Sequence, residues 1–121
     1  MGGSPKAFAA IVLAAVLLAP VPALPQGATP RVVAIGDVHG AYDELVGLLA
    51  AAGLTDATLR WSGGNTQLVL LGDVLDRGAR SRAVLELVMA LAEEAPAAGG
   101  TVELLLGNHE VMNLLGDLSY V

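Results

Sequence analysis

Residues 31–40 read RVVAIGDVHG, an apolar run that ends in a glycine and is followed by an aspartate and a histidine. An apolar run that ends in a glycine and is followed by polar residues returns in LVLLGDVLDRG at residues 68–78 and in LLLGNHE at residues 104–110. Continuous apolar runs of this length are typical of strands in a parallel sheet, and we expect residues 31–36 to be covered on both faces. The sequence therefore predicts three strands that each end in glycine and polar side chains.

Helical patterns separate these runs, because leucine, valine and alanine recur there at intervals of three and four residues. The order strand, helix, strand, helix, strand predicts an α/β fold with mostly parallel strands and right-handed crossovers. The predicted elements are residues 31–36, 41–52, 66–71, 79–95 and 101–106.

The N-terminal segment has a different composition from the rest of the chain. Lys6 precedes an unbroken apolar run, residues 7–19, and prolines follow it. This pattern predicts a cleaved secretory signal peptide, residues 1–23, and a proline-rich linker, residues 24–30. The apolar run is shorter than the roughly 20 residues that cross a bilayer, and the alternative is an uncleaved membrane anchor. We therefore expect an exported protein, periplasmic or extracellular, that contacts a membrane only if the signal segment stays uncleaved.

Composition limits the chemistry and the partners. The chain has no cysteine, so disulfides and thiolate metal sites are excluded, and any metal ligand must be oxygen or imidazole nitrogen. The formal net charge is −6. A surface of this sign repels the phosphate backbone, so we expect no nucleic-acid partner.

The polar residues behind the three strands have the types and the spacing of a two-metal site. The carboxyl ends of parallel strands meet at one edge of a sheet, where ligands bind. Asp37 and His39 are two residues apart and can reach the same ion if the chain is extended there. Asp73 can bridge that ion to a second one, and Asn108 offers the second ion a neutral oxygen. Turn and cap chemistry explains any one of these turns, but it does not explain all three together.

Other polar residues in the same turns are of types that can bind a phosphate group and protonate its leaving group. Arg77 carries a planar guanidinium that matches phosphate oxygens. Asp76 can hydrogen-bond an imidazole and favour its protonated form, so that His109 can donate a proton to a leaving alkoxide. We expect Glu110 to hold the loop without binding a metal.

Together the motifs GDVHG, GDVLDRG and GNHE resemble those of the calcineurin-like metallophosphoesterases, in the branch of serine/threonine phosphoprotein phosphatases. LLGNHEVMNLLGDLSYV, residues 105–121, and the turn WSGGN, residues 61–65, are similar to the bacterial Shewanella-like phosphatases. The resemblance covers residues 31–121 and implies metal-dependent hydrolysis of phosphomonoesters by a metal-activated water. It implies two divalent ions, with Mn²⁺ expected first and Fe or Zn²⁺ also compatible, and a phosphorylated substrate, either a phosphoprotein or a small phosphoester.

The resemblance also implies a role for each matching residue. Asp37, His39 and Asp73 would bind one metal, Asp73 and Asn108 the second, His109 would be the general acid supported by Asp76, and Arg77 would hold the phosphoryl group.

The chain also departs from the family pattern. Members add two further histidines and a second arginine, whereas no histidine or arginine follows His109 in this sequence. We therefore expect residues 31–121 to be the N-terminal part of a two-sheet sandwich flanked by helices, and to be inactive alone. A dinucleoside polyphosphate hydrolase or other nucleotide phosphoesterase, and a non-catalytic metal-binding remnant, are the alternative interpretations.

Overall fold

The computed structural model describes residues 29–121, so the predicted signal peptide and most of the predicted linker lie outside the described residues. The described chain contains, in order, β1 (Val32–Ile35), α1 (Tyr42–Ala51), β2 (Gln67–Leu70), α2 (Ser81–Glu94), a 3₁₀ turn (Ala95–Ala98), β3 (Thr101–Leu104) and α3 (Asn108–Leu114). All five predicted elements are present. Most of their ends lie one or two residues inside the predicted bounds. The third helix was not predicted.

The three strands form one parallel sheet in the order β1-β2-β3, which confirms the predicted α/β fold. The register aligns Val33 with Leu68 and Val102. Because β1 and β2 are each followed by a crossover to the next strand, all three strands point the same way. The residues that follow them are therefore brought to one edge of the sheet.

One face of the sheet packs against α1 and α2 and carries the core. Alternate strand residues point to this face, as the period of two in a strand requires. The helices meet them with stripes spaced three and four residues apart, including Leu45 and Leu49 of α1 and Val84 and Leu91 of α2, which are all buried.

The opposite face of the sheet is exposed among the described residues. Val32 is 61% exposed, and Gln67 and Thr101, its neighbours in register, are exposed as well. The prediction that residues 31–36 are covered on both faces is therefore wrong for the described part of the chain. Two successive right-handed crossovers between adjacent strands put both helices on the same side of the sheet, and an apolar run alone does not reveal this.

Within residues 29–121, no helix has both the length and the apolar character that crossing a membrane requires.

Candidate active site

The first two turns are joined by backbone hydrogen bonds at the carboxyl end of the sheet. The carbonyl oxygen of Asp73 accepts bonds from the N–H groups of Val38, at 3.0 Å, and His39, at 2.9 Å. The N–H of Gly40 donates to the carbonyl of Val74 at 2.9 Å. The side chains that follow β1 and β2 are thereby fixed relative to one another.

Two glycines allow the turns to approach this closely. A Cβ atom on Gly78 would overlap the carbonyl oxygen of His39 in the first turn. A Cβ atom on Gly107 would overlap the carboxylate of Asp73. A larger residue at either position would therefore push apart the segments that carry the predicted ligands.

The buried carboxylate of Glu110 ties the second and third turns together. Its Oε2 accepts bonds from the N–H groups of Asp73, at 2.6 Å, and Gly107, at 2.9 Å. Its Oε1 accepts from Val74, at 2.8 Å, and Leu75, at 3.1 Å. Burial opposes ionisation, but the four N–H donors outweigh it and hold the pKa of Glu110 below its ordinary value. The prediction that Glu110 holds the loop is confirmed.

Asp37, His39 and Asp73 form a cluster that could hold a metal ion. Each offers one ligand atom, and these three atoms lie within 4.8 Å of one another. Nδ1 of His39 is 3.0 Å from the carbonyl oxygen of Leu75, which can only accept, so Nδ1 carries the proton. Nε2 is then the ring nitrogen available to a metal ion, and it lies 3.6 Å from Oδ2 of Asp37.

The donor set of this cluster fits a divalent cation. Two carboxylates and a neutral imidazole are the ligands that Mn²⁺, Fe and Zn²⁺ accept in proteins. The hydrogen bond to the Leu75 carbonyl orients the ring of His39, as an outer partner does for a metal-binding histidine.

Asn108, the predicted ligand of a second ion, is the first residue of α3. Its side chain is exposed, and its Nδ2 lies 4.0 Å from the sulfur of Met112. Binding of a metal by Asn108 stays a prediction.

His109 and Asp76 form a buried pair next to the cluster. Nδ1 of His109 is 2.9 Å from Oδ2 of Asp76, and the two side chains are 3% and 4% exposed. Hydrogen bonds from His109 and then from Asn113 lower the pKa of Asp76, so its carboxylate is ionised and accepts the Nδ1 proton. The rings of His109 and His39 are 4.8 Å apart, edge to face. The imidazole that was predicted to donate a proton therefore borders the predicted metal ligands.

Arg77 is exposed and lies beside Tyr120. Its backbone N–H donates to the carbonyl of Tyr120 at 3.1 Å, and its guanidinium lies 6.0 Å from the centre of that ring. The Tyr120 ring also meets the ring of His109 edge to face, with 5.3 Å between centroids. Tyr120 therefore connects the predicted phosphate-binding residue with the predicted proton donor, whose roles stay predictions.

The backbone is left-handed at four of the predicted site residues. The φ angles are 47° at His39, 53° at Asp73, 68° at Asp76 and 65° at Arg77. Residues with a side chain adopt this region at a cost, and such strained positions concentrate at functional sites.

Sequence reasoning missed Tyr120 and also Asn113. Its amide donates hydrogen bonds to the carboxylate of Asp76 and to the carbonyl of His109. Asn113 lies four residues after His109, on the same face of α3. The spacing is present in the sequence, but the apolar pattern predicts no helix over residues 108–114.

The chain matches the model of the calcineurin-like phosphoesterase family over residues 30–120, and it belongs to that family. Members act with divalent metal ions, which agrees with the ligand cluster. The predicted resemblance is confirmed.

Three known proteins illustrate the similarity. Shewanella-like protein phosphatase 2 of Arabidopsis thaliana is 46% identical over 91 residues, which cover 75% of this chain and 23% of the relative. A crystal structure described as a cold-active protein-tyrosine phosphatase of a psychrophilic Shewanella species is 45% identical, with a TM-score of 0.73, over 77% of this chain and 28% of that one. A symmetrical bis(5′-nucleosyl)-tetraphosphatase of Enterobacter sp. is 42% identical over 77 residues, 64% of this chain and 22% of the relative. This chain spans about a quarter of the length of these proteins.

Proposed function

We propose that the full-length gene product is a metal-dependent phosphomonoester hydrolase that acts as a protein phosphatase. The observation that carries the proposal is the contact between two groups of residues. The carboxylate and imidazole cluster of Asp37, His39 and Asp73 borders the buried pair of His109 and Asp76, with the two imidazole rings 4.8 Å apart.

Each side chain has a definite part in this proposal. Two divalent ions, preferably Mn²⁺, would be held by Asp37, His39, Asp73 and Asn108. Cations bound there would activate water and offset the negative charge of the phosphate. Arg77 would bind phosphoryl oxygens. His109 would give its Nε2 proton to the leaving oxygen, because Asp76 occupies its Nδ1.

Metal dependence is the first test. The full-length gene product is stripped with a chelator and assayed on p-nitrophenyl phosphate before and after addition of Mn²⁺, Fe²⁺ or Zn²⁺. We expect activity to disappear with the metal and to return with Mn²⁺. Undiminished turnover after exhaustive chelation would contradict the proposal.

The substrate is proposed as a phosphoprotein of the serine/threonine type, from the motifs GDVHG, GDVLDRG and GNHE. The Shewanella structure that the chain matches is described as a protein-tyrosine phosphatase, so both kinds of residue must be assayed. Turnover of matched phosphoseryl, phosphothreonyl and phosphotyrosyl peptides distinguishes them. Preference for the phosphotyrosyl peptide would overturn the serine/threonine assignment while leaving the phosphatase proposal standing.

A second candidate is hydrolysis of a dinucleoside polyphosphate, which the 42% identity to a bis(5′-nucleosyl)-tetraphosphatase favours. Diadenosine tetraphosphate is the discriminating substrate. If it is cleaved much faster than the phosphopeptides, this second candidate replaces the first.

We also propose that the protein is exported and that residues 24–121 alone do not hydrolyse phosphomonoesters. The basic start and the apolar run of the N-terminal segment support export. N-terminal sequencing of protein from the periplasm or medium tests export, and Leu24 should be the first residue.

The exposed sheet face supports inactivity of the short chain, because residues 29–121 leave the β-sheet open on one side.

A further inference from the structure

Asn113 makes three hydrogen bonds with one side-chain nitrogen. Its Nδ2 is 3.0 Å from Oδ1 and 2.9 Å from Oδ2 of Asp76, and 2.9 Å from the backbone oxygen of His109. All three partners are acceptors, so the amino side of the amide must face them. One N–H is shared between the two carboxylate oxygens and the other reaches the carbonyl.

This contact determines the plane of the Asp76 carboxylate. The terminal torsion of an aspartate has broad energy wells, so one bond from His109 would leave the carboxylate free to rotate. Asn113 contacts both oxygens and removes that freedom. The same amide is bonded to the helical turn that carries His109, so the three residues form a closed ring of hydrogen bonds.

We propose that Asn113 is a positioning residue that orients Asp76 and, through it, the imidazole of His109 toward the leaving group. The proposal rests on the proposed phosphatase function. When the bond from phosphorus to the leaving oxygen breaks, its electron pair goes to that oxygen, which takes the proton from Nε2 of His109. Water supplies the new oxygen on phosphorus and loses a proton to solvent. Asn113 touches neither the substrate nor the transferred proton.

The kinetic test compares a poor and a good leaving group in the metal-loaded full-length gene product. Asn113→Leu has a similar volume and lacks the N–H donors. With phenyl phosphate, whose leaving oxygen needs the proton most, we expect kcat to fall about 10–100-fold with KM unchanged. With p-nitrophenyl phosphate the fall should be about tenfold smaller. Equal losses on the two substrates, or an effect on KM alone, would overturn the proposal.

Two further variants separate positioning from general damage. Asn113→Asp keeps the shape but puts a second carboxylate against Asp76, so it should be slower than Asn113→Leu. In the Asp76→Asn background, Asn113→Leu should cause no further loss, because the residue through which it acts is already removed. A full additional loss would show an independent structural role. Leu114→Ala is the control, since Leu114 is the next residue of α3 and is 74% exposed.

A spectroscopic test does not depend on activity. ¹⁵N NMR of the metal-free full-length protein with labelled histidine reports which ring nitrogen of His109 carries the proton. We expect Nδ1, which faces Asp76, to carry a proton in all molecules of the unsubstituted protein and in only part of the Asn113→Leu molecules, with the rest of the spectrum unchanged. An identical single form in both proteins would refute the proposal. Absence of phosphomonoester turnover in the unsubstituted protein would refute the phosphatase function, and the NMR comparison would still decide the role of Asn113.

Discussion

Asp73 and Asp76 are three residues apart, and their carboxylates have different surroundings. Asp73 lies in the metal-ligand cluster and accepts the backbone N–H of His109 at 3.0 Å, whereas Asp76 contacts the imidazole. We predict that Asp73→Asn lowers kcat more than Asp76→Asn and also lowers bound metal. Asp76→Asn should cost within the roughly 10²–10⁴-fold that a general acid contributes, with metal content preserved.

Turnover and metal content by atomic absorption, both in the full-length gene product, check this difference. Asp43→Asn is the matched control, because the Asp43 side chain is 81% exposed and bonds to Arg80. Equal, mild effects of Asp73→Asn and Asp76→Asn on both measurements would show that the assignment of Asp73 as a metal ligand is wrong.

Glu110 makes the stability of the site depend on pH. Its pKa lies below the ordinary value of 4.5, so the folded protein binds this proton more weakly than the unfolded chain does. The stability that Glu110 contributes is therefore complete above about pH 4.5 and is lost as the pH falls through the folded-state pKa. Glu110→Gln keeps the shape but turns an amide N–H toward backbone N–H groups. We expect it to lower the free energy of unfolding by about 2–4 kcal/mol at neutral pH and to flatten the acid dependence.

Urea unfolding of the metal-free full-length gene product at pH 7 and pH 4 measures both effects. Glu93→Gln is the control, because Glu93 is the same residue type at an exposed position of α2. An unchanged difference in stability between the two pH values in Glu110→Gln would mean that the four N–H bonds do not carry the acid dependence.

At the level of elements, apolar periodicity predicted three strands and two helices because hydrophobic burial itself follows those periods. It failed at α3, since that helix begins with Asn108, His109 and Glu110, which serve the site and leave no apolar stripe at its start. Asn113 was missed for the same reason, as its meaning depends on helical spacing from His109. The sequence also does not predict which face of the sheet the helices cover, because an apolar run does not show on which side of the sheet the crossovers lie.

Two glycines that look alike in sequence should respond in opposite ways to alanine. A Cβ on Gly78 would overlap the carbonyl of His39, whereas Gly47 lies in α1 with nothing within 4 Å of the added atom. We predict that Gly78→Ala destabilises by about 1–3 kcal/mol and weakens metal binding, since it moves the turn that carries His39. Gly47→Ala should stabilise by about 0.5–1 kcal/mol and leave metal binding unchanged. Thermal unfolding and metal titration of both variants check this, and similar behaviour of the two would contradict the packing argument.

At the scale of the whole molecule, one face of the sheet packs on helices and the other is open among the described residues. The open face combines Val32 with Leu71, 61% and 53% exposed, and Leu105 continues it at 47%. Large apolar side chains exposed on one face of a sheet favour association with another surface. The chain spans about a quarter of the length of its relatives, and the family resemblance implies a second sheet that would pack on this face.

We therefore predict that residues 24–121, expressed alone, self-associate, bind at most one metal ion weakly and show no phosphatase turnover. A complete small domain has only about 5–15 kcal/mol of stability, and apolar burial contributes about 25 cal/mol per Å², so an open face removes a decisive share. Size-exclusion chromatography, metal stoichiometry and turnover test the prediction. Val32→Thr should reduce association, whereas Met89→Thr, at a position 62% exposed on α2, should not. A soluble monomer that holds two ions and cleaves phosphate would contradict the prediction. It would show that residues 24–121 form a complete enzyme whose site does not depend on a second sheet packed on the open face.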